Sequence, residues 1–321
     1  MKLGVMCPVL YDMELEEALK YLSELGVDCM EVGAGGSPGD KFLKPEELLG
    51  HPDKIAAYKA LFEKYNISIS AISCHGNPLH PQKDIAEDYD RQFKNAICVA
   101  EALGVDTVVG FSGCPGDCEN SKYPNWVTCS WPDDYKKILE WQWKEKVIPY
   151  WKGIAEFAKS HNINKIAFEM HPGFVVYNPG TLLKLREAVG DIIGANFDPS
   201  HLFWQGVDPV AAIKALKGAI YHFHAKDTKI DKQNCAVNGV LDAGNYADIS
   251  SRSWIFRTVG YGHGEEVWND IISTLKATGY DGAISIEHED SLMSSKEGLE
   301  KAVEFLKMVL IYENPCEMWW A

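Results

Sequence analysis

Short apolar runs rich in Val, Ile and Phe alternate along this chain with stretches whose apolar residues recur at helical spacing. The runs at 2–6, 29–33, 68–75, 107–113, 165–171, 193–200, 219–227 and 282–290 read as eight strands, bounded by turn-forming residues. Between the first two, Leu15, Ala18, Leu19, Leu22 and Leu25 fall on one face of a helix. Gly26 and Gly104 stand where a helix stops, in the related segments ELGVDCMEV and ALGVDTVVG, which look like an internal echo of one helix-to-strand unit. Strict strand–helix alternation implies a parallel sheet with right-handed crossovers. Eight units without a linker or composition break predict an α/β chain closed into a (β/α)8 TIM barrel, one domain over 1–321. No glycine-rich fingerprint follows the first strand, which counts against a dinucleotide fold.

Two connections exceed the usual loop length, 113–131 after strand four and 228–264 after strand seven. Both leave from the C-terminal face, where barrel enzymes build their sites, and both are rich in aromatic residues: Tyr123, Trp126, Trp131, Tyr246, Trp254 and Phe256. Trp126, Trp131, Trp204 and Trp254 are candidates to stack on a sugar face or on an aglycone ring, with loop packing as the competing use. Trp141, Trp143 and Trp151 lie in a helical stretch and are expected against the barrel wall.

Composition adds exclusions. The 321 residues are 46% hydrophobic, enough for a sizeable core, and hold no apolar run long enough for a membrane span. The net charge of −15 opposes nucleic acid and anionic membrane surfaces as partners. Nine scattered cysteines point to a reducing cytoplasm rather than a disulfide framework. The closest grouping, Cys114 and Cys118 with Cys129 further on, lacks a fourth ligand for a metal knuckle. The opening MKLGVMCPVL reads as a first strand, not a signal peptide.

The chemistry concentrates at strand ends. Glu169, Asp198, His224 and Glu287 close strands five to eight at equivalent positions, and a barrel interior is ordinarily filled with branched apolar side chains. Three carboxylates and one imidazole form a hard, anionic donor set, suited to one divalent ion: Mn2+ first, with Mg2+, Co2+ or Zn2+ as alternatives. Alternation puts His171 on the face of Glu169, His222 and Lys226 on that of His224, and Glu289 on that of Glu287. His171 is a candidate additional base, and Lys226 a candidate acid or a salt-bridge partner. His222, deeper on its strand, is expected to be a packed, hydrogen-bonded histidine. His75 ends strand three, faces the mouth and is a candidate to hydrogen-bond a sugar hydroxyl. His288 and Glu289 are expected to support Glu287, and Asp227 to anchor the long loop.

The segments FEMHPG, NFDPSHL, HFHAKD, RTVGYGHG and SIEHED resemble those of the xylose-isomerase-like sugar isomerase/epimerase superfamily, whose members include ketose 3-epimerases and inosose dehydratases. The resemblance spans essentially the whole chain. It implies that Glu169, Asp198, His224 and Glu287 bind one divalent metal, that Glu169 and Glu287 double as the acid/base pair, and that His201 and Arg257 touch substrate oxygens. The superfamily's DNA-repair branch needs further histidines that this sequence lacks: strand four ends in GFSG, and no Asp-x-His follows strand seven.

The expected reaction is proton abstraction next to a carbonyl of a sugar or keto-sugar, giving an enediolate and then isomerisation or epimerisation. A lyase or dehydratase acting on an oxidised sugar or 3-keto-glycoside begins with the same step, and the residues do not decide between them. A non-catalytic barrel subunit is the remaining alternative. The tail 313–321, ending in two tryptophans, is expected either to fold back on the last helix or to bury in a partner, so a homo-oligomer or partner subunit is anticipated.

Overall fold

The computed structural model of the chain describes residues 1–314, 316–318 and 320. Within them eight parallel strands close a barrel: β1 (Lys2–Met6), β2 (Cys29–Gly36), β3 (Ser68–His75), β4 (Thr107–Gly110), β5 (Lys165–Glu169), β6 (Ile193–Phe197), β7 (Ile220–Ala225) and β10 (Ala283–Ile286). Each strand pairs with its neighbours in chain order, and β10 closes against β1. Helices such as Leu15–Glu24 and Lys83–Leu103 turn their apolar stripes onto the outer face of the sheet, where the main hydrophobic core lies. Gly104 ends the second of these in the left-handed conformation (φ 77°), as its place after the periodic run predicts.

The inside of the barrel is unusual. Its apolar part is a small separate cluster of Ala71, Val109 and Ala167. Above it the inward positions are polar: Glu31, Ser73, Asn196, His222, His224 and Ser285 are all buried. The branched apolar filling typical of such barrels is therefore replaced near the mouth by a hydrogen-bonded polar layer.

Several strands are shorter than their sequence pattern. β4 stops at Gly110, β5 at Glu169, β6 at Phe197, β7 at Ala225 and β10 at Ile286. Asp198, Lys226 and Glu287 thus stand just beyond the ladder, where their backbones are free to turn. At the end of β2, Gly36 adopts φ +67° beside His75, and a Cβ there would collide with the His75 carbonyl.

The connection after β7 is more ordered than a plain loop. It forms an antiparallel ribbon of β8 (Asp227–Ile230) and β9 (Trp254–Arg257), with a helix Lys232–Asn238 between them. Asp227 roots it, accepting from the backbone N–H of Thr228 (2.8 Å), Gly260 (3.1 Å), Gly262 (3.1 Å) and His263 (2.8 Å), and from the Trp268 indole (3.2 Å). The connection after β4 is pinned from below by the buried Gln142, whose amide donates to the carbonyls of Pro115 (3.2 Å), Gly116 (2.9 Å) and Asn125 (2.7 Å). Gln142 opens a short π-helical turn, Gln142–Val147, a geometry that swings one side chain out of the ordinary helical register.

Trp143 and Trp151 are buried against the barrel as expected. Trp131 is 76% exposed. Of the two terminal tryptophans, Trp319 lies outside the described residues, and Trp320 is largely exposed. Among the described residues no helix is long and apolar enough to cross a membrane, and all nine cysteines are free.

Candidate functional site

Barrel register explains why four distant residues meet. Glu169 lies opposite Asn196, Asn196 opposite His222, and His224 opposite Ser285. Two residues further along the same inward faces come Asp198, His224 and Glu287. Ligand atoms of Glu169, Asp198, His224 and Glu287 consequently lie within 4.8 Å of one another.

His224 is gripped from both sides. Its Nε2 is 2.8 Å from Glu31 Oε2, and its Nδ1 is 3.2 Å from Glu169 Oε2 and 3.0 Å from Glu287 Oε2. Glu31 also accepts from Ser285 Oγ (3.0 Å) and from Ser73 Oγ. An ionised carboxylate only accepts, so Nε2 carries a proton toward Glu31, while Nδ1 faces the mouth between Glu169 and Glu287. This carboxylate–imidazole pairing beneath a ligand atom is the usual means of orienting a metal-binding histidine.

Glu169 is held by His201 Nε2 at 2.9 Å and His75 Nε2 at 3.1 Å. Burial pushes its carboxyl up, but His201, His224 and His75 beside it prevail and hold it well below the ordinary value. For Glu287 burial is likewise outweighed, chiefly by Lys226, and the carboxyl falls to about 2. Asp198 is raised, because burial outweighs the pull of Lys226 and His201. Burial alone would lower His224, yet Glu31 and Glu287 hold it well above its ordinary value. Lys226 resists burial too: Nζ lies 2.8 Å from Glu287, 2.9 Å from Glu289 and 3.2 Å from Asp198, which keep it protonated.

The donor set fits a divalent cation. Asp198 Oδ2, His224 Nδ1 and Glu287 Oε2 are buried without a well-formed hydrogen bond, although each lies within ion-pair distance of a neighbour. Three under-satisfied polar atoms converging from three of the four residues are costly unless a ligand completes them.

Two cavities adjoin this cluster. The mouth, about 170 Å3, is lined by Glu169, Glu287, His75, Lys226, His171, Phe111 and His288 among others. A second chamber of about 350 Å3 is walled by Trp126, Trp204, Trp254, Phe256 and Tyr246, with His171 and His201 on its inner side. His171 borders both. The structure therefore brings His75, His171, Lys226, Glu169 and Glu287 to the mouth and His201, Trp126 and Trp254 to the chamber. Arg257 lines neither of these cavities. Its Nε donates to Asp290 at 3.0 Å and its guanidinium lies 5.5 Å from the Tyr261 ring.

A sequence profile described as "Xylose isomerase-like TIM barrel" matches residues 19–309. The chain belongs to this family. The uncharacterized protein YfiH of Bacillus subtilis (strain 168) is 38% identical over 312 residues, covering 97% of this chain and 99% of that one. The inosose isomerase of Halalkalibacterium halodurans is 29% identical over 173 residues, 52% of this chain and 55% of that protein. The solved structure of the IolI protein with a binding zinc atom superimposes with a TM-score of 0.65 at 20% identity, covering 97% and 98% of the two chains, a likeness of fold.

Within this xylose-isomerase-like barrel, Glu31 is the residue that the strand-end motifs do not reveal. It sits in mid-strand in CMEVG, where it is the one charged residue of the predicted run 29–33, and that was the available signal. Asn196 is a second: its amide lies 3.5 Å from Glu169, and its oxygen 3.2 Å from His222 Nδ1. His222 is the packed, hydrogen-bonded histidine expected of its depth, pushed down by burial to about 4.

Proposed function

We propose that the protein is a divalent-metal-dependent isomerase or epimerase that takes a proton from the carbon next to a carbonyl of a sugar or keto-sugar. The observation that carries this reading is the convergence of Glu169, Asp198, His224 and Glu287 within 4.8 Å at the barrel mouth, with three of their atoms under-satisfied. These four residues would hold the cation, Mn2+ by preference for a carboxylate-rich set, with Mg2+, Co2+ or Zn2+ as alternatives. When bound, such an ion supplies Lewis-acid stabilisation for negative charge developing on a carbonyl oxygen.

The remaining work falls to side chains. Glu169 and Glu287 are both held ionised, so either is ready to accept a proton, and after doing so can return it to the same or the neighbouring carbon. His75 and His201 orient Glu169 by hydrogen bonds to its two oxygens. His171, beside both cavities and kept low by burial, is available as a neutral additional base. His201, Trp126 and Trp254 are placed to contact the more distant part of a substrate.

The test is solvent deuterium incorporation into ketoses, inososes and 3-keto-glycosides by the Mn2+-reconstituted protein, followed by NMR. Replacing Glu287 by Gln is expected to abolish exchange while metal-free folding is retained, a loss of about 10²–10⁴-fold for a positioned acid/base group. Exchange by that variant at near wild-type rate sinks the two-carboxylate mechanism.

A second reading, elimination by a lyase or dehydratase, is favoured by one observation. Lys226 is a buried, protonated ammonium 2.8 Å from Glu287, able to give a proton to a departing oxygen or carbon. Unsaturated products in place of simple exchange would select it. The free cysteines favour a cytoplasmic setting, and the tail 313–321 a homo-oligomer or partner subunit, which size-exclusion of a chain ending at Asn314 tests through a changed elution volume.

A further inference from the structure

The mouth cavity, at about 170 Å3, is smaller than the ~300–1,000 Å3 usual for a small-molecule site. The chamber beside it reaches about 350 Å3 by itself, and His171 is their common wall. Phe256 joins them chemically as well: its ring lies 4.7 Å from Lys226 Nζ and 5.2 Å from the His201 ring. We propose that the chamber is a second binding subsite, and that the substrate is a keto-sugar joined to a flat aromatic group, with the sugar at the mouth and the aryl ring against Trp254, Trp126 and Phe256. This rests on the reading of the mouth as a keto-sugar site and adds what lies beyond the sugar.

Two features favour an aryl ring over a second sugar. The wall is preformed: Trp204 and Trp254, both buried, stack with centroids 4.7 Å apart and planes 4° apart. Several polar groups of the chamber are already engaged. Asp242 accepts from the N–H of Gly244 and of Ser253, both at 2.7 Å, the Trp254 indole donates to Val240 O at 3.0 Å, and His171 Nδ1 is spent on Pro172 O at 2.6 Å. A sugar's hydroxyls would lose water there and find few partners. The indole nitrogens of Trp126 and Trp204 make no hydrogen bond and are buried within the wall, and His171 Nε2 remains open.

Tyr246 and Leu241, both exposed, stand at the rim of the chamber, which is therefore open to solvent. A free ketose would leave the chamber filled with water against five aromatic rings, a poorly hydrated surface whose burial is favourable.

The test uses the full-length, Mn2+-reconstituted protein and two unreactive probes, phenyl β-D-glucoside and methyl β-D-glucoside, titrated by calorimetry. The phenyl compound is expected to bind at least tenfold more tightly, and Trp254→Leu to remove most of that advantage with metal content unchanged. Should Trp254→Leu disturb the ribbon, Tyr246→Ala, an exposed residue at the chamber rim, is expected to lower phenyl binding severalfold. Equal affinity for the two probes, no phenyl binding at millimolar concentration, or a preference untouched by both variants overturns the subsite. Loss of deuterium exchange with every keto-sugar, alongside an intact phenyl preference, defeats the reaction reading alone; exchange without the preference defeats the subsite alone.

Discussion

Replacing Glu31 by Gln keeps the shape beneath His224 and removes only the charge. Glu31 takes the His224 Nε2–H at 2.8 Å and the Ser285 hydroxyl at 3.0 Å in a fully buried position. A hydrogen bond to a charged group contributes about 1.5–3 kcal/mol and a neutral one about 0.5–1.5, so the substitution costs about 1–2 kcal/mol of His224 orientation. That is roughly tenfold in binding, the low end of the 10–100-fold loss usual when the partner of a metal-binding histidine is removed. A second effect runs the other way. Glu31 is the foremost charge holding His224 protonated, and a metal must displace the Nδ1 proton. Without Glu31 that proton leaves more easily, so the deficit should be largest at pH 8 and narrow at pH 6. Calorimetric titration of Mn2+ at both values, with circular dichroism to check the fold, measures this. An affinity at pH 8 within twofold of wild type would refute the argument that Glu31 presents the ligand atom.

Asp198→Ala should drop the metal content of the purified protein well below one equivalent by elemental analysis, and full occupancy would remove Asp198 from the ligand set. Burial holds His222 at about 4 against an unfolded value of about 6.5, so an unfolded chain binds a proton that the native site refuses. The metal-free protein should therefore lose stability as pH falls from about 6.5 to 4, by about 1.4 kcal/mol per pH unit from this group. Urea midpoints at pH 7 and 5 read this, and His222→Gln should flatten the difference; an identical slope in the variant counts against it. Gln142→Ala strips one donor group from three buried carbonyls and should cost about 1–3 kcal/mol. Faster chymotryptic cleavage within 113–131 is the expected sign, and an unchanged rate would show that the segment is held by other contacts.

What could be read from the chain alone follows from how local the signal is. Glu169, Asp198, His224 and Glu287 each close an apolar run, so a two-residue alternation was enough to place them on one face of the closed barrel. Glu31 escaped because its partner His224 is 193 residues away, and mid-strand carboxylates carry no motif. The ribbon β8–β9 escaped for a related reason: its register pairs Asp227 with Arg257 across a long excursion, and four-residue strands give little alternation to detect. Arg257 itself was visible in RTVGYGHG, but its direction depends on Asp290, which captures it at 3.0 Å. Strand ends were overestimated where polar residues continue the alternation after the ladder has stopped, as at Asp198 and Glu287.

The Asp227 root has a consequence for how such a protein changes over generations. Five backbone and indole N–H groups converge on that one carboxylate, while Asp290 secures the far end at Thr258 and Arg257. The stretch 231–253 between these anchors can therefore be lengthened, shortened or exchanged with little demand on the strands that carry Glu169, Asp198, His224 and Glu287. Of the chamber wall, Leu241, Asp242, Ala243 and Tyr246 fall within this exchangeable stretch. A library randomised over 231–253 should accordingly yield variants that accept new molecules long before it yields any that transform them differently.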